Sequence, residues 1–198
     1  MIIIVRHGQT YWNLEKRMQG HGNSKLTEKG KKQAIKIAKY FNKNNLNLNN
    51  FILYSSPLKR VIDYTKIINR NLNHKFILKK KLNLSDELKE HKFGLWEGKS
   101  DKEIEELFPD QIKKRKLNKW HYKIPQGESY EILYKRVKKF INKRIKFKKN
   151  YVIFTHDMVS RVFRGYLMKY KKEKILNSRH ENSSIFICDK KKIKEIRL

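Results

Sequence analysis

The sequence predicts an α/β fold built on a mostly parallel sheet. Two short apolar runs, residues 2–5 and 151–155, are typical of buried strands, and both lead directly to a histidine, His7 and His156. Stretches with one apolar face at helical spacing lie between the strand-like runs. Because ligands bind outside the carboxyl ends of strands in such sheets, we expect the two histidines to lie at one crevice.

Size and composition limit the class of protein. With 198 residues the chain is long enough for one domain, and we assign residues 1–198 to it. The net charge of +30 has two explanations, a surface that attracts polyanions or a drift of composition towards lysine. We favour drift, because the lysines are spread along the whole chain.

The single cysteine, Cys188, lies in an apolar run and predicts a buried thiol in a reducing, cytoplasmic compartment. No signal peptide or membrane span is expected.

The first strand is followed by a polar loop and a helix. Residues 9–22 are polar and predict a loop, at most with a short helix, that lies over the end of the strand. Thr27 predicts the start of a helix that the asparagine-rich stretch 42–50 ends. Its expected apolar face is Ala34, Ile35, Ile37, Ala38 and Phe41.

A second strand and helix follow. Residues 51–54 predict the strand, and Ser56 with Pro57 predicts a helix start, with serine as the cap and proline at the first helical position. Arg60 then falls in the first turn, where a guanidinium adds to the anion-attracting amides of the helix terminus. Taken alone, Arg60 would more simply be an exposed residue without a ligand.

The middle of the chain is less regular. Residues 76–78 predict a short third strand, and 82–99 predict a functional loop that carries several carboxylates. These are Asp86, Glu87, Glu90 and Glu97. Ser100 opens a helix through a capping box, Pro109 marks a break or kink, and the basic stretch 111–122 has poor periodicity.

The last part returns to regular elements. A turn at 124–129 leads into a long helix, and the strand that ends at His156 follows it. Residues 157–170 predict a helix whose N-terminus lies beside His156, where anions are favoured. Two short strands, 184–188 and 193–197, predict a hairpin at the edge of the sheet.

The residues at the predicted crevice suggest phosphoryl transfer. Two guanidinium groups, Arg6 and Arg60, suit phosphate oxygens, and an imidazole such as that of His7 can act as a nucleophile. His156 lies at the end of the other strand, and the acidic loop can fold over the crevice.

The order and spacing of the motifs resemble the histidine phosphatase superfamily, also called the phosphoglycerate mutase-like family. The matching pieces are Arg6-His7-Gly8-Gln9-Thr10 with Trp12-Asn13, Arg17-Met18-Gln19-Gly20, Leu26-Thr27-Glu28-Lys29-Gly30, Tyr54-Ser55-Ser56-Pro57-Leu58-Lys59-Arg60, Leu88-Lys89-Glu90 with Gly94-Leu95-Trp96-Glu97-Gly98, and Thr155-His156-Asp157. The resemblance spans nearly the whole chain and implies a three-layer α/β/α sandwich with a mostly parallel central sheet.

The resemblance also implies the roles of individual residues. His7 would be the nucleophile that forms a phosphohistidine, while Arg6, Arg60 and His156 would hold the phosphoryl oxygens and stabilise the transition state. No metal and no cofactor is required, since the arginines supply the positive charge.

Three further roles follow from the same resemblance. Glu90 would donate a proton to the leaving oxygen and then activate water, although Glu87 and Glu97 are nearby and only the spacing to Gly94 and Trp96 selects it. Thr10 and Asn13 would be secondary phosphate contacts.

The chain departs from the family pattern at Asp157, where glycine is common. That carboxylate could orient His156, cap the following helix or weaken binding of highly charged substrates. The remaining histidines lack ligand spacing and are expected to be surface or structural residues. They are His21, His74, His91, His121 and His180.

Three functions are compared. The short chain and the turns 96–98 and 127–129 look like the phosphatase branch, so we expect a metal-independent phosphomonoesterase of the histidine acid phosphatase type. The alternatives are a 2,3-bisphosphoglycerate-dependent phosphoglycerate mutase and, less favoured, a basic nucleic-acid-binding protein on a lapsed enzyme fold.

The expected partner is a small phosphorylated metabolite, without specific nucleic acid or membrane binding. The protein would be a monomer or homodimer. Leaving-group specificity is assigned to lid segments at about 9–25 and 101–126.

Overall fold

A computed structural model describes residues 1–189 and 192–198, and in this part of the chain six strands form one sheet. The strands are β1 (Ile2–Arg6), β2 (Ile52–Ser55), β3 (Leu82–Leu84), β4 (Tyr151–Thr155), β5 (Ser184–Asp189) and β6 (Lys192–Arg197). Their order across the sheet is β3-β2-β4-β1-β5-β6. Strand β5 runs antiparallel to both of its neighbours, whereas the other pairings are parallel. This confirms the mostly parallel sheet and the hairpin at its edge.

Helices surround the sheet. They are α1 (Tyr11–Leu14), α2 (Glu28–Lys43), α3 (Lys59–Arg70), α4 (Leu78–Lys81), α5 (Asp101–Leu107), α6 (Pro109–Leu117), α7 (Tyr130–Arg144), α8 (Asp157–Leu167) and α9 (Lys172–Asn177). Short 3-10 helices occupy Leu48–Asn50, Asp86–Leu88 and Gly94–Trp96. The predicted helix starts at Thr27 and Ser100 are confirmed, because each of these side chains accepts a hydrogen bond from the first turn of its helix. The turn at 124–129 leads into α7 as predicted, and Ser129 at its end caps that helix in the same way.

Alternate residues of the central strands enter two different cores. Ile2 and Ile4 of β1 pack with apolar residues of α7 and α8 on one face of the sheet. Ile3 and Val5 pack with residues of α2 and α3 on the other face. Since both faces are covered, β4 is buried along its whole length, as expected for a central parallel strand. The molecule is therefore the three-layer sandwich that the resemblance implied.

The register between β1 and β4 positions the two histidines. Arg6 pairs with Thr155, and the backbone N–H of His7 donates to the Thr155 carbonyl over 3.1 Å. His7 and His156 consequently leave the sheet side by side at the carboxyl ends of two neighbouring parallel strands.

The predicted start of α3 is wrong. The helix begins at Lys59, two residues after Pro57, and Leu58 is its N-cap without a side-chain cap. The Ser56 hydroxyl accepts a bond from the Leu58 N–H, but it also lies 2.8 Å from His156 Nε2. The serine therefore serves the crevice as well as the turn.

The predicted strand at 76–78 is also wrong, because an asparagine side chain satisfies this segment instead of a neighbouring strand. Asn69 accepts from the Phe76 N–H and donates to the Phe76 carbonyl, over 2.9 and 2.8 Å. Leu78 already belongs to α4, and β3 pairs with β2 only from Leu82 onwards. The region 82–99, predicted as a loop, thus contains one strand and two 3-10 turns.

Other boundaries differ in detail. Pro109 occupies the first turn of α6, so it does separate two helices, but the basic stretch after it is helical to Leu117. Helix α8 ends at Leu167, and α9 was not predicted. The prediction of a charged turn in the edge hairpin includes residues 190–191, which lie outside the described residues. Cys188 is buried, as expected, and no helix in the described part of the chain is long and apolar enough to cross a membrane.

Candidate active site

His7 lies immediately after β1 and is 3% exposed. Its Nδ1 is 2.8 Å from the Gly8 carbonyl oxygen, which can only accept, so Nδ1 carries the hydrogen and Nε2 carries the lone pair. The amide of Asn182 donates to the His7 carbonyl over 2.7 Å. Both the ring and its backbone are therefore held in one orientation.

His156 lies after β4 and faces His7. The two ring centroids are 5.2 Å apart, with an angle of 69° between the ring planes. An arginine nitrogen, Arg60 Nη2, lies 3.2 Å from His156 Nδ1, so Nδ1 accepts and Nε2 donates to the Ser56 hydroxyl. The structure thus brings together the two histidines that follow separate strands.

Arg60 lies between the two rings and is 1% exposed. Its Nε donates to His7 Nε2 over 3.2 Å, and its Nη atoms donate to the carbonyls of Gly20 and Gly22 over 2.8 Å. Burial lowers the pKa of Arg60 to about 10, so the guanidinium remains charged at neutral pH. The bonds to residues 20 and 22 also tie the loop after α1 to the floor of the crevice.

Arg6 supplies a second positive charge from the end of β1. Its Nη1 donates to the His180 carbonyl over 2.6 Å. Its Nε is buried and has no hydrogen-bond partner among the described residues. A buried N–H without a partner is unusual, and here it belongs to a group that suits a bound oxyanion.

Both crevice histidines are neutral at physiological pH. Burial, with the charges of Arg60 and Arg6 added to it, lowers the pKa of His7 well below its ordinary value. Burial, Arg60 and His7 do the same to the pKa of His156. A neutral His7 keeps the Nε2 lone pair that a nucleophile needs.

Glu90 is a buried carboxyl that lies within the influence of the charges of Arg60 and Arg6. It is 8% exposed, its Oε1 accepts from the His91 N–H over 2.9 Å, and its Oε2 lies 3.4 Å from the Met158 N–H in the first turn of α8. Burial and then the charge of Asp157 raise the pKa of Glu90, against the opposing influence of Arg60. A carboxyl with a raised pKa can donate a proton near neutrality.

The two competing carboxylates are engaged elsewhere. Glu87 bonds to the Ser85 hydroxyl. Glu97 accepts from the backbone N–H groups of His21 and Phe93 over 2.9 and 3.1 Å, so it holds a loop together. Glu90 is buried, whereas Glu87 and Glu97 are only half-buried, and sequence spacing does not reveal this difference.

Thr10 and Asn13 form the capping box of α1. Asn13 Oδ1 accepts from the Thr10 N–H over 3.1 Å, and the Thr10 hydroxyl accepts from the Asn13 N–H over 3.3 Å. Their role as phosphate contacts stays a prediction. The two predicted lid segments contact each other, since Arg17 of the first donates to Glu103 of the second over 2.7 Å.

Asp157 is paired within α8. Arg161, one turn later, donates to its carboxylate, and the His180 N–H donates to Oδ1 over 2.9 Å. The carboxylate therefore neither contacts His156 directly nor caps the helix through its side chain.

Sequence reasoning missed several residues that hold the crevice. The sequence predicts Ser56 only as a helix cap, and no motif points to Asn182, Arg136 or the carbonyl of His180. His180 and His91 are buried, and His21 donates from Nε2 to the Glu90 carbonyl over 2.9 Å. Within residues 1–189 and 192–198, no group of three or more His, Cys, Asp or Glu side chains is arranged to hold a metal ion.

Comparison with known proteins agrees with this geometry. The sequence profile of the histidine phosphatase superfamily (branch 1) matches residues 2–194. Phosphoglycerate mutase-like protein 4 of Arabidopsis thaliana is 31% identical over 195 residues, which cover 96% of this chain and 81% of the relative. Phosphoserine phosphatase 1 of Hydrogenobacter thermophilus is 31% identical over 140 residues, 71% of this chain and 62% of the relative.

A mutase and a solved phosphatase structure are also similar. The 2,3-bisphosphoglycerate-dependent phosphoglycerate mutase of Pelagibacter ubique is 30% identical, with 88% of this chain and 83% of the relative covered. The α-ribazole phosphatase of Shigella flexneri has the same fold, with a TM-score of 0.78 at 20% identity over 100% of this chain and 95% of that structure. The motifs, the paired histidines and the profile match lead to one conclusion: this chain belongs to branch 1 of the histidine phosphatase superfamily.

Proposed function

We propose that this protein hydrolyses phosphomonoesters of a small phosphorylated metabolite through a phosphohistidine at His7. The observation that carries the proposal is the state of the His7 ring. Its Nδ1 is bound to the Gly8 carbonyl, so a neutral Nε2 lies beside Arg60 in a crevice that also contains His156. A nucleophile with a fixed tautomer among positive charges suits attack on a phosphoryl group.

The first half-reaction forms the phosphoenzyme. The Nε2 lone pair of His7 forms a bond to phosphorus while the bond from phosphorus to the ester oxygen breaks. Glu90, whose raised pKa favours the protonated form, gives its proton to that oxygen, and the alcohol leaves. For this step the Arg60 Nε–H turns from His7 Nε2 to a phosphoryl oxygen.

Three groups stabilise the charge on the transferred phosphoryl. Arg6 offers the buried Nε–H that has no partner among the described residues, and Arg60 offers its guanidinium. His156 gains a proton more easily once a dianion is bound, since an opposite charge raises the pKa of an imidazole. It then donates to a phosphoryl oxygen.

The second half-reaction returns the enzyme to its starting state. Water attacks phosphorus, the Glu90 carboxylate takes the proton from water, and the bond between phosphorus and Nε2 breaks. The products are inorganic phosphate, neutral His7 and protonated Glu90.

The lid segments 9–25 and 101–126 would decide which alcohol fits. The lone Cys188, whose pKa burial raises to about 12, is inert and suits a cytoplasmic enzyme.

A phosphoglycerate mutase is the second candidate, favoured by the similarity to the Pelagibacter ubique enzyme over 88% of this chain. The first half-reaction would be the same, but the phosphoryl group would return to a second hydroxyl and not to water. The two functions therefore differ in the acceptor that reaches the phosphohistidine, which is water for the phosphatase and a substrate hydroxyl for the mutase.

A substrate screen tests the proposal. The protein is assayed with a panel of phosphomonoesters in the presence of a chelator, and in parallel for mutase activity with 2,3-bisphosphoglycerate. We expect phosphate release and an acid-labile phosphoenzyme in the wild type, and neither in His7→Ala. His74→Ala, at an exposed position, is the matched control.

Two results would contradict the proposal. Full activity of His7→Ala would exclude the phosphohistidine. Absence of turnover, together with salt-dependent DNA retention that survives His7→Ala, would favour the nucleic-acid-binding alternative.

A further inference from the structure

The segment that carries Glu90 is attached to the rest of the protein by its carbonyl groups. Arg136 of α7 donates from Nη1 to the Glu87 carbonyl over 2.7 Å and from Nη2 to the Glu90 carbonyl over 2.9 Å. The hydroxyl of Thr155, the residue before His156, donates to the Leu88 carbonyl between them over 2.9 Å. The Arg136 guanidinium thus binds the backbone at both ends of the short turn 87–90.

Arg136 is itself held in place by Glu128. Its Nε and Nη2 donate to the two carboxylate oxygens of Glu128 over 2.8 and 2.9 Å, a bidentate pair in which both side chains are mostly buried. Glu128 also accepts from the Lys92 N–H over 3.1 Å and donates its own N–H to the Lys92 carbonyl over 2.9 Å. The pair therefore fixes the chain on the far side of Glu90 as well.

His21 reaches the same point from the first lid segment. Its Nε2 donates to the Glu90 carbonyl over 2.9 Å, so that oxygen receives two N–H groups, one from His21 and one from Arg136. Among residues 1–189 and 192–198, by contrast, the Glu90 carboxyl has only the backbone N–H groups of His91 and Met158 at hydrogen-bond distance. Its position depends on its backbone, and its backbone depends on these donors.

We infer that Arg136, oriented by Glu128, is a positioning residue that holds the Glu90 carboxyl where it can protonate the leaving oxygen. This inference rests on the proposed function. A lysine at position 136 would keep the charge, but its single ammonium lacks the planar fork that binds Glu128 and two carbonyls at once. Arg136→Lys should therefore displace the acid without removing it.

The test separates proton donation from general structural damage. Phosphohistidine formation is measured in single turnovers with a series of substituted phenyl phosphates, whose leaving groups need the acid to different degrees. We expect Arg136→Lys to slow phenyl phosphate about 10- to 100-fold and 4-nitrophenyl phosphate less than about 3-fold, because a good leaving group departs without a proton. Arg144→Lys, at an exposed position on the same helix, should behave like the wild type.

A double variant makes the test sharper. If Arg136 acts through Glu90, Arg136→Lys should change the rate of Glu90→Gln less than about 2-fold, since the acid is already absent. Equal slowing along the whole phosphate series, with full additivity in the double variant, would overturn the inference.

Amide exchange provides a measurement that needs no turnover. Backbone amides at 88–92 should exchange faster in Arg136→Lys than in the wild type, while the amides of β4 stay unchanged. Unchanged exchange at 88–92 would also overturn the inference. A wild type without phosphohistidine would refute the proposed function, and this exchange comparison would still decide whether Arg136 holds the segment.

Discussion

The ring of His156 lies 5.2 Å from the ring of His7, at an angle of 69° to it, although the two residues come from distant parts of the sequence. The contact exists because β1 and β4 are neighbours and in register, with Arg6 opposite Thr155. Arg60 bonds to both rings, so the three side chains form one unit.

Removing His156 should slow transfer without preventing it. We expect His156→Asn to lower the rate of phosphoenzyme formation about 10²- to 10³-fold, the usual effect of losing one donor to a developing oxyanion. His7 should still become phosphorylated. Ser56→Ala removes the partner of His156 Nε2 together with the weaker acceptor of the Leu58 N–H, and it should cost about 2- to 10-fold. Rapid-quench measurement of the phosphoenzyme compares the three proteins, and a larger loss in Ser56→Ala than in His156→Asn would contradict this assignment.

Asp157 should set the upper pH limit of the reaction. Its charge raises the pKa of Glu90, after the larger contribution of burial, and the protonated form of Glu90 is the one that reacts. Asp157→Asn should therefore lower the pKa of Glu90 and move the alkaline limb of the kcat/KM profile to lower pH. The profile of Asp63→Asn, which removes a carboxylate from a surface ion pair on α3, is the control. An alkaline limb that stays in place, or moves to higher pH, would contradict the prediction.

Stability should fall as the solution becomes acidic. The pKa values of buried His91 and His180 are lowered to about 3, and those of His7 and His156 are also lowered, with burial as the largest cause in all four. Below pH 6.5 the unfolded state therefore binds more protons than the folded state. The contribution of His91 and His180 is complete above about pH 6.5 and is lost as the pH falls towards 3, by about 1.4 kcal/mol per pH unit for each of the two, and His7 and His156 act in the same direction. Glu90, with its raised pKa, contributes in the opposite sense.

One substitution isolates this effect. His91 packs against the rings of Phe93 and Tyr130, and its buried Nδ1 has no partner among the described residues. His91→Phe should reduce the slope of unfolding free energy against pH by about 1.4 kcal/mol per unit between pH 6 and 4. Denaturant titrations at several pH values measure it, with exposed His74→Gln as the control. An unchanged slope in His91→Phe would show that this imidazole does not drive acid sensitivity.

Gly30 should tolerate no side chain, although it lies in the first turn of α2. Alanine normally stabilises a helix relative to glycine, but a Cβ at this position would overlap the backbone carbonyl oxygen of Gln9. We expect Gly30→Ala to lower the free energy of unfolding by about 1–3 kcal/mol and to displace the loop after His7. Lys29→Ala, exposed in the same turn, should change stability by less than about 0.5 kcal/mol. If Gly30→Ala is as stable as the wild type, the loop at Gln9 accommodates the added methyl group without cost, and the prediction is wrong.

Local patterns in the sequence were sufficient wherever neighbouring residues decide the structure. The strands β1 and β4, the starts of α2, α5 and α7, and the edge hairpin follow from apolar runs and caps that act over a few residues. The segment at 76–78 was misassigned because Asn69, seven residues before Phe76, satisfies its backbone. Such a partner is visible only when the chain is folded.

In the active site, too, the sequence and the tertiary structure determine different features. The sequence alone determined the fold class, the family, and the arginine and histidine positions that the carboxyl ends of the strands bring together. Only the tertiary structure decided that Glu90 is the buried carboxyl, that Arg161 holds Asp157, and that Arg136 supports the acid-bearing turn. Motifs record which residue types occur in which order, whereas burial and long-range hydrogen bonds arise from packing between segments far apart in the chain. Those interactions set the pKa values and the orientation of the side chains, and so they decide which candidate can take part in the chemistry.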